Sequence, residues 1–493
     1  MRFPARKAAI AACLVGIALL ASSVAARAGD TPAENGAIRH LHFRYGLLDI
    51  RPGQNIITTN KFSVPQPKID GWIVGFVPNI RLQDGTVPPV DEIHLHHGVW
   101  ATGTRFDATA PPFPERFFGV GEEKTQLHLP PGYGYEYHTS DFWWLNYMIH
   151  NLTPRSYKLW ITYDVDIIPF AVGRHEGIKP VHPIWMDVQN GSIYPVFDVL
   201  KGSGTNGRFT YPDQAVDPYG GGKPKNEWTI PARGVLVHTF GHLHPGGLSV
   251  DLDLQRGTQT AHLFKSTAKY YEPAGAVSWD VSMTATRDNW AVAVQPGDVL
   301  KISATYDTSR ASWYESMGLA VVWMYDGPGG VDPFEHAVDQ PGVLTHGHLP
   351  ENDNHGGRKT TLADPRTLPD GTPTSTVDVD DFVYGPSDLT ARTPIITVVQ
   401  GQSIRFDNLD AQRLGVWHSI TACKAPCTAS TGIAYPIADA AIPFDSGQLG
   451  NAGPPTSGHE TWSTPVDLPP GTYTYFCRIH PFMRGAFRVV AVG

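Results

Sequence analysis

Near its C-terminal end the sequence reads YFCRIHPFMRG, residues 475–485, which puts Cys477, His480 and Met483 on one short stretch. A thiolate, an imidazole and a thioether so close together suit copper, held as Cu(I) or Cu(II). A blue electron-transfer centre takes two histidines and a cysteine in a trigonal set, with a weak axial methionine. His418, in GVWHSITAC, is placed to supply the second histidine from an earlier segment. The elements around these four residues read as strands: PIITVVQGQSIRFDNLD before His418, and GTYTYF and GAFRVVAVG on either side of the cysteine loop.

This region resembles the cupredoxins, and among them amicyanin, whose ligand loop has the same Cys-x-x-His-x-x-Met spacing and the same HPFMRG continuation. The resemblance covers about residues 376–493. It implies a Greek-key β-sandwich with His418, Cys477, His480 and Met483 as ligands of one type 1 copper. The interval from His418 to Cys477 is longer than in small cupredoxins, and an insertion around 423–457 accounts for it. Multicopper oxidases resemble a His-Cys-His run near the C-terminus. Here Cys477 is flanked by Phe476 and Arg478, which disfavours that family.

Fourteen of the 21 histidines lie between residues 38 and 330. In DEIHLHHGVW, His94 and His96 share one strand face, and His97 faces the other way unless a bulge turns it. In GVLVHTFGHLHPGGL, His238, His242 and His244 share parity and line one face of an extended strand. In WYESMGLAVVWMYDG, Met317 precedes an apolar run that reads as a buried strand, where a lone methionine is most often core packing. Partly exposed strand histidines or a polar strand end are the plain alternatives to metal ligands.

Together these groups resemble the type II ascorbate-dependent copper monooxygenases, peptidylglycine α-hydroxylating monooxygenase and dopamine β-monooxygenase. The resemblance implies two jelly-roll domains with one copper each. His96 and His97, with His150 of WLNYMIHNLTP, match the family's all-histidine site. His242, His244 and Met317 match its dioxygen site, and these three would be the catalytic residues. His94 and His238 have no counterpart in the family pattern. The chain departs from the family in having no cysteine between residues 14 and 422 and a longer interval from His150 to His242.

The elements that must position these ligands follow from composition. The chain has 493 residues, too many for one core. Its 50 glycines and 43 prolines, with no long helical periodicity, read as many short strands and tight turns. The expected fold is all-β: two jelly-roll sandwiches followed by a cupredoxin sandwich. The expected division is a signal peptide at 1–28, jelly rolls at 38–172 and 173–330, a linker at 331–375 and the cupredoxin at 376–493. The linker carries His346, His348 and His355, and the segment GEEKTQLHLPPGYGYEYHTSDFWW reads as a long aromatic-rich loop.

Arg2, Arg6 and Lys7 precede an apolar run ending near Ala28, the pattern of a secretory leader. A periplasmic or secreted protein is expected. Removing the leader takes four positive charges and no negative ones, moving the formal charge from −9 to −13 and arguing against nucleic acid as a partner. No later stretch is apolar enough to span a bilayer. In an oxidising compartment Cys423 and Cys427 of CKAPC suit a disulfide, with a redox pair or a metal site as alternatives. Cys477 is then the unpaired thiol.

The sequence-level expectation is an exported monooxygenase with three coppers, one type 1 and two mononuclear type 2-like. It would use a small organic substrate, dioxygen and a redox partner or small reductant as electron donor. The alternatives are a non-catalytic copper-binding or electron-transfer protein, and an oxidase that does not insert oxygen. Oligomeric state is not legible in the sequence.

Overall fold

The computed structural model describes residues 38–492, apart from 62, 191–194, 216–224, 273–274, 277–278, 353–361, 390–393, 428–441 and 451–458. The expected leader and His355 lie outside the described residues. The layers are β-sheet throughout, and among the described residues the only α-helices are the short Phe170–Glu176 and Asp410–Leu414. No described helix is long and apolar enough to cross a membrane.

Strand alternation builds the first sandwich. In Arg39–Ile50 the residues Leu41, Phe43 and Tyr45 turn inward while His40, His42 and Arg44 face solvent. This strand lies beside Tyr157–Pro169, which lies beside Gly71–Leu82. A four-stranded sheet, ordered Ile57–Asn60, Trp143–Asn151, Ile93–Phe106, Pro114–Gly121, shares a core with these strands. Phe76 sits at its centre, stacked on Tyr163 and edge-on to Trp100.

The two N-terminal regions are joined by one continuous sheet. Tyr133–Tyr137 pairs antiparallel with Gly71–Leu82 and parallel with Lys179–Asp187. Lys179–Asp187 then pairs with Gly318–Tyr325, which pairs with Gly234–Leu243. Gly318–Tyr325 reads as an unbroken apolar run because both of its faces are buried. Trp185, Val321 and Trp323 point into the first core, while Ile184, Met186, Val322 and Met324 point into the second. The segment read as an aromatic loop therefore contains the strands Leu127–His128 and Tyr133–Tyr137, and the latter is the seam between the two halves. Aromatic content alone does not distinguish a loop from short strands at such a seam.

The stretch expected to be a linker is packed at both ends. Val343–Leu344 pairs with Val281–Ala285, Leu349 enters the second core, and the carbonyl of His346 accepts from Tyr271 and Ser282. His348 Nδ1 lies 2.6 Å from Asp280 Oδ2. Beyond 361, Leu362 and Leu368 pack on Leu389 and Ile395, and Asp370–Pro373 joins the C-terminal sandwich. That sandwich has a five-stranded sheet including Gly471–Phe476 and Arg484–Val490, and a three-stranded sheet of Thr376–Val379, Arg405–Asn408 and Thr461–Ser463.

Candidate metal centre

In the C-terminal sandwich, His418 precedes the strand Thr421–Cys423, and Cys477, His480 and Met483 occupy the turn between Gly471–Phe476 and Arg484–Val490. Hydrogen bonds from Met483 N–H to the His480 carbonyl and from Cys477 N–H to the Met483 carbonyl close that turn. The Nδ1 atoms of His418 and His480 are 3.2 Å apart, and each lies 3.8 Å from Cys477 Sγ. A trigonal ion about 2.0 Å from nitrogen and about 2.3 Å from sulfur would space the donors very nearly so. Met483 is buried in the same apolar cluster as Cys477.

Each ring is oriented by its other nitrogen. His418 Nε2 donates to Asp410 Oδ2 at 3.0 Å, and His480 Nε2 donates to the carbonyl of Gly53, in the first sandwich, at 2.9 Å. Such partners fix the tautomer and leave Nδ1 as the donor atom. Burial raises the Asp410 carboxyl, but hydrogen bonds from His418 and from the Phe382 and Asp381 amides outweigh it and hold the group at about 2. Burial likewise raises the Cys477 thiol, and His418 with the amides of Ser419 and His480 brings it below its ordinary value. Both amides donate to Sγ at 3.3 Å. Cys423 and Cys427 form a disulfide, and Cys477 is free.

The second assembly gathers six histidines. In the ladder between Ile93–Phe106 and Trp143–Asn151, His94 lies opposite His150, and the register slips between Leu95 and His97. His96 is the extra residue of a β-bulge, so one strand brings His94, His96 and His97 into one region. His94, His96 and His150 have donor atoms within 4.8 Å of one another, and so do His96, His97 and His244. His97 Nε2 and His244 Nε2 are 3.0 Å apart. The His242 ring is centred 5.1 Å from His244 and 5.9 Å from His97.

Met317 is held near this group by a shared anchor. The Tyr306 hydroxyl accepts from the amides of His244 and Met317 and donates to the Met317 carbonyl. His238 is not brought in: its Nδ1 meets Thr286, and Phe240 lies between it and His242 along the strand. His346 meets the carbonyl of Glu123.

Three residues escaped the sequence reading. Glu122 Oε2 lies 3.3 Å from His96 Nδ1, and Glu123 Oε2 lies 3.0 Å from His242 Nδ1, with both carboxylates buried. Two adjacent glutamates have no metal-ligand spacing, so only their burial reveals them. Tyr306, likewise, acts through a backbone contact that leaves no motif.

Burial pushes His94, His96, His97 and His244 well below the ordinary histidine value and His150 to about 4. For His242 burial acts in the same direction, but the Glu123 carboxylate wins and raises it. Burial, then Glu123, raises Glu122. His94 Nε2, His150 Nδ1 and His242 Nε2 are buried without hydrogen bonds. Each such atom is expected to cost about 1–3 kcal/mol unless something pairs it. The neutral imidazole lone pairs of His94 and His150 converging in this way fit a transition-metal ion, and imidazole suits copper well.

The assembly faces two hollows. One, of about 230 Å³, is lined by His97, His242 and Met317 and by an apolar set including Val99, Trp144, Trp185 and Leu319. The other, of about 80 Å³, is lined by His96, His150 and His244 with Trp279, Arg478 and Ile479. It adjoins the cysteine loop, where His150 Nε2 donates to the Ile479 carbonyl at 2.8 Å. The His150 and His480 rings are centred 6.0 Å apart.

No family model and no curated protein matches the chain. Among solved structures, the Cu(I) form of an amicyanin mutant is 22% identical over 26% of this chain and 91% of its own, with a TM-score of 0.15. A second amicyanin mutant, also Cu(I), is 21% identical over 27% of this chain and 100% of its own, again at 0.15. A Cu-containing nitrite reductase from Thermus scotoductus SA-01 is 16% identical over 53% of this chain and 58% of its own, at 0.15.

Proposed function

We propose that this chain is an exported copper-dependent monooxygenase acting on a small apolar organic molecule, with the cupredoxin-like sandwich relaying electrons to a di-copper core held by the histidine assembly. The carrying observation is the apolar hollow of about 230 Å³ whose lining includes His97, His242 and Met317. Ligand pockets are typically apolar with a few convergent polar groups.

The overall change is RH + O2 + 2 electrons + 2 protons giving ROH + water. The C–H bond breaks, a C–O bond forms, and the second oxygen atom leaves as water. The electrons come from an external reductant or redox protein. Copper, when bound, supplies one-electron cycling and dioxygen activation. Cys477, His418, His480 and Met483 would hold one ion, and His94, His96, His97, His150, His242, His244 and Met317 the others. The protein's own part is positional. His150 ties the assembly to the Ile479 carbonyl, the apolar walls keep water from the bound molecule, and Glu123 orients His242.

The test is product analysis with isotopically heavy dioxygen. Copper-loaded, reduced protein is offered a panel of small aromatic and aliphatic compounds. One labelled oxygen atom per product is expected, lost in His242→Ala. Copper that passes readily to a chelator, with no dioxygen uptake on reduction, would instead support a copper-handling protein.

A further inference from the structure

The family pattern divides the assembly as His96, His97 and His150 on one side and His242, His244 and Met317 on the other. In the observed geometry His96 is close to two sets at once, His94 with His150 and His97 with His244. We propose that His94, not His97, completes the all-histidine copper centre with His96 and His150, and that His97 belongs with His242 and His244, His97 and His242 of that set facing the apolar hollow. This assignment rests on the copper reading above.

Four observations carry it. First, His94 sits directly opposite His150 in the strand ladder, and their rings are centred 5.2 Å apart. Second, His94 Nδ1 is committed to the Val90 carbonyl at 2.5 Å, which leaves Nε2 as a lone-pair donor. Third, that Nε2 is fully buried and has no hydrogen bond, as is His150 Nδ1, and the donor atoms of His94, His96 and His150 lie within 4.8 Å of one another. Fourth, His97 turns toward the other group. With His242 and Met317 it lines the larger hollow, whereas His96, His150 and His244 line the smaller one, and its Nε2 is 3.0 Å from the Nε2 of His244.

The bulge at His96 gives the physical reason. In a regular strand His94 and His96 would face one way and His97 the other. The extra residue would let one strand serve two centres: His94 with His150 beside the cysteine loop, and His97 with His242 beside the larger hollow. The centre nearer Cys477 would then be the one without access to the apolar hollow, as suits an electron reserve.

The experiment is copper counting by elemental analysis, with electron paramagnetic resonance to count non-blue Cu(II) signals, on full-length wild type, His94→Ala and His97→Ala. His94→Ala is expected to lose one of three coppers and one non-blue signal while keeping the blue absorption. That absorption also reports that the docked C-terminal sandwich is folded. Wild type and His94→Ala both holding three coppers with the same spectra would overturn the assignment and leave the copper reading standing. Wild type holding one copper would overturn the reading itself. A copper-edge anomalous difference map of wild-type crystals avoids the variants. A peak about 2.1 Å from His94 Nε2 is expected. A peak bonded to His96, His97 and His150, with His94 free, would refute the assignment.

Discussion

Four imidazoles follow one rule: one ring nitrogen is committed to a protein oxygen and the other faces a cluster of donor atoms. The oxygens are the Val90 carbonyl for His94, the Ile479 carbonyl for His150, the Asp410 carboxylate for His418 and the Gly53 carbonyl for His480. Only Asp410 is a side chain, so it alone can be tested by substitution. Asp410→Asn is expected to weaken copper binding at the cysteine centre by about 10- to 100-fold, read by chelator competition at the blue band. A distant pair gives a pH test. Burial, then the Asp280 carboxylate, raises Glu272 to about 7, against about 4.3 in an unfolded chain. Between those values the folded state holds a proton that the unfolded state has lost, so stability falls as pH rises. Glu272→Gln is expected to flatten the melting temperature between pH 5 and 7.5 and to raise it at the upper end. The cysteine loop and the His96–His97, His150 and His242–His244 positions were legible because their types and spacings are rare together. Which histidines lie within reach of one another was not, because that depends on a single-residue register slip.

At the scale of elements, the bulged strand Ile93–Phe106 is held in place by its neighbour Pro114–Gly121. Gly121 stands where a Cβ would lie 2.6 Å from His242 Cε1 and 2.7 Å from the carbonyl oxygen of His96. A backbone oxygen in a paired strand cannot move aside cheaply. Gly121→Ala is therefore expected to remove at least one non-blue copper while leaving the blue absorption intact, as elemental analysis and absorption would show. The all-β character and the strand-forming runs were readable from Gly, Pro and alternation. The continuous sheet was not. Trp185, Val322 and Trp323 look like any buried run, and nothing in their order says that the two faces serve different cores. The expected linker illustrates the same limit: Leu349 and Val343–Leu344 are too few apolar residues to stand out among Pro, Gly and His, yet they pack.

At the scale of the whole molecule, the C-terminal sandwich is seated on the rest of the molecule by its cysteine loop. His480 reaches Gly53, the Ile479 carbonyl receives His150, and Arg478 donates to the Ser312 carbonyl while lying over Tyr314. Gly53 has φ +60°, and a Cβ there would lie 2.2 Å from the Phe382 ring. Gly53→Ala is expected to leave the blue band near its normal intensity but to slow reoxidation of the blue centre by dioxygen several-fold, as stopped-flow absorption would record. The central claim is that one chain brings three redox ions together, and the most direct test is metal analysis with absorption and paramagnetic resonance on copper-loaded, desalted full-length protein. The expected result is three coppers per chain, one intensely blue and abolished alone by Cys477→Ser, with two non-blue. A single copper per chain, entirely blue, would contradict the account.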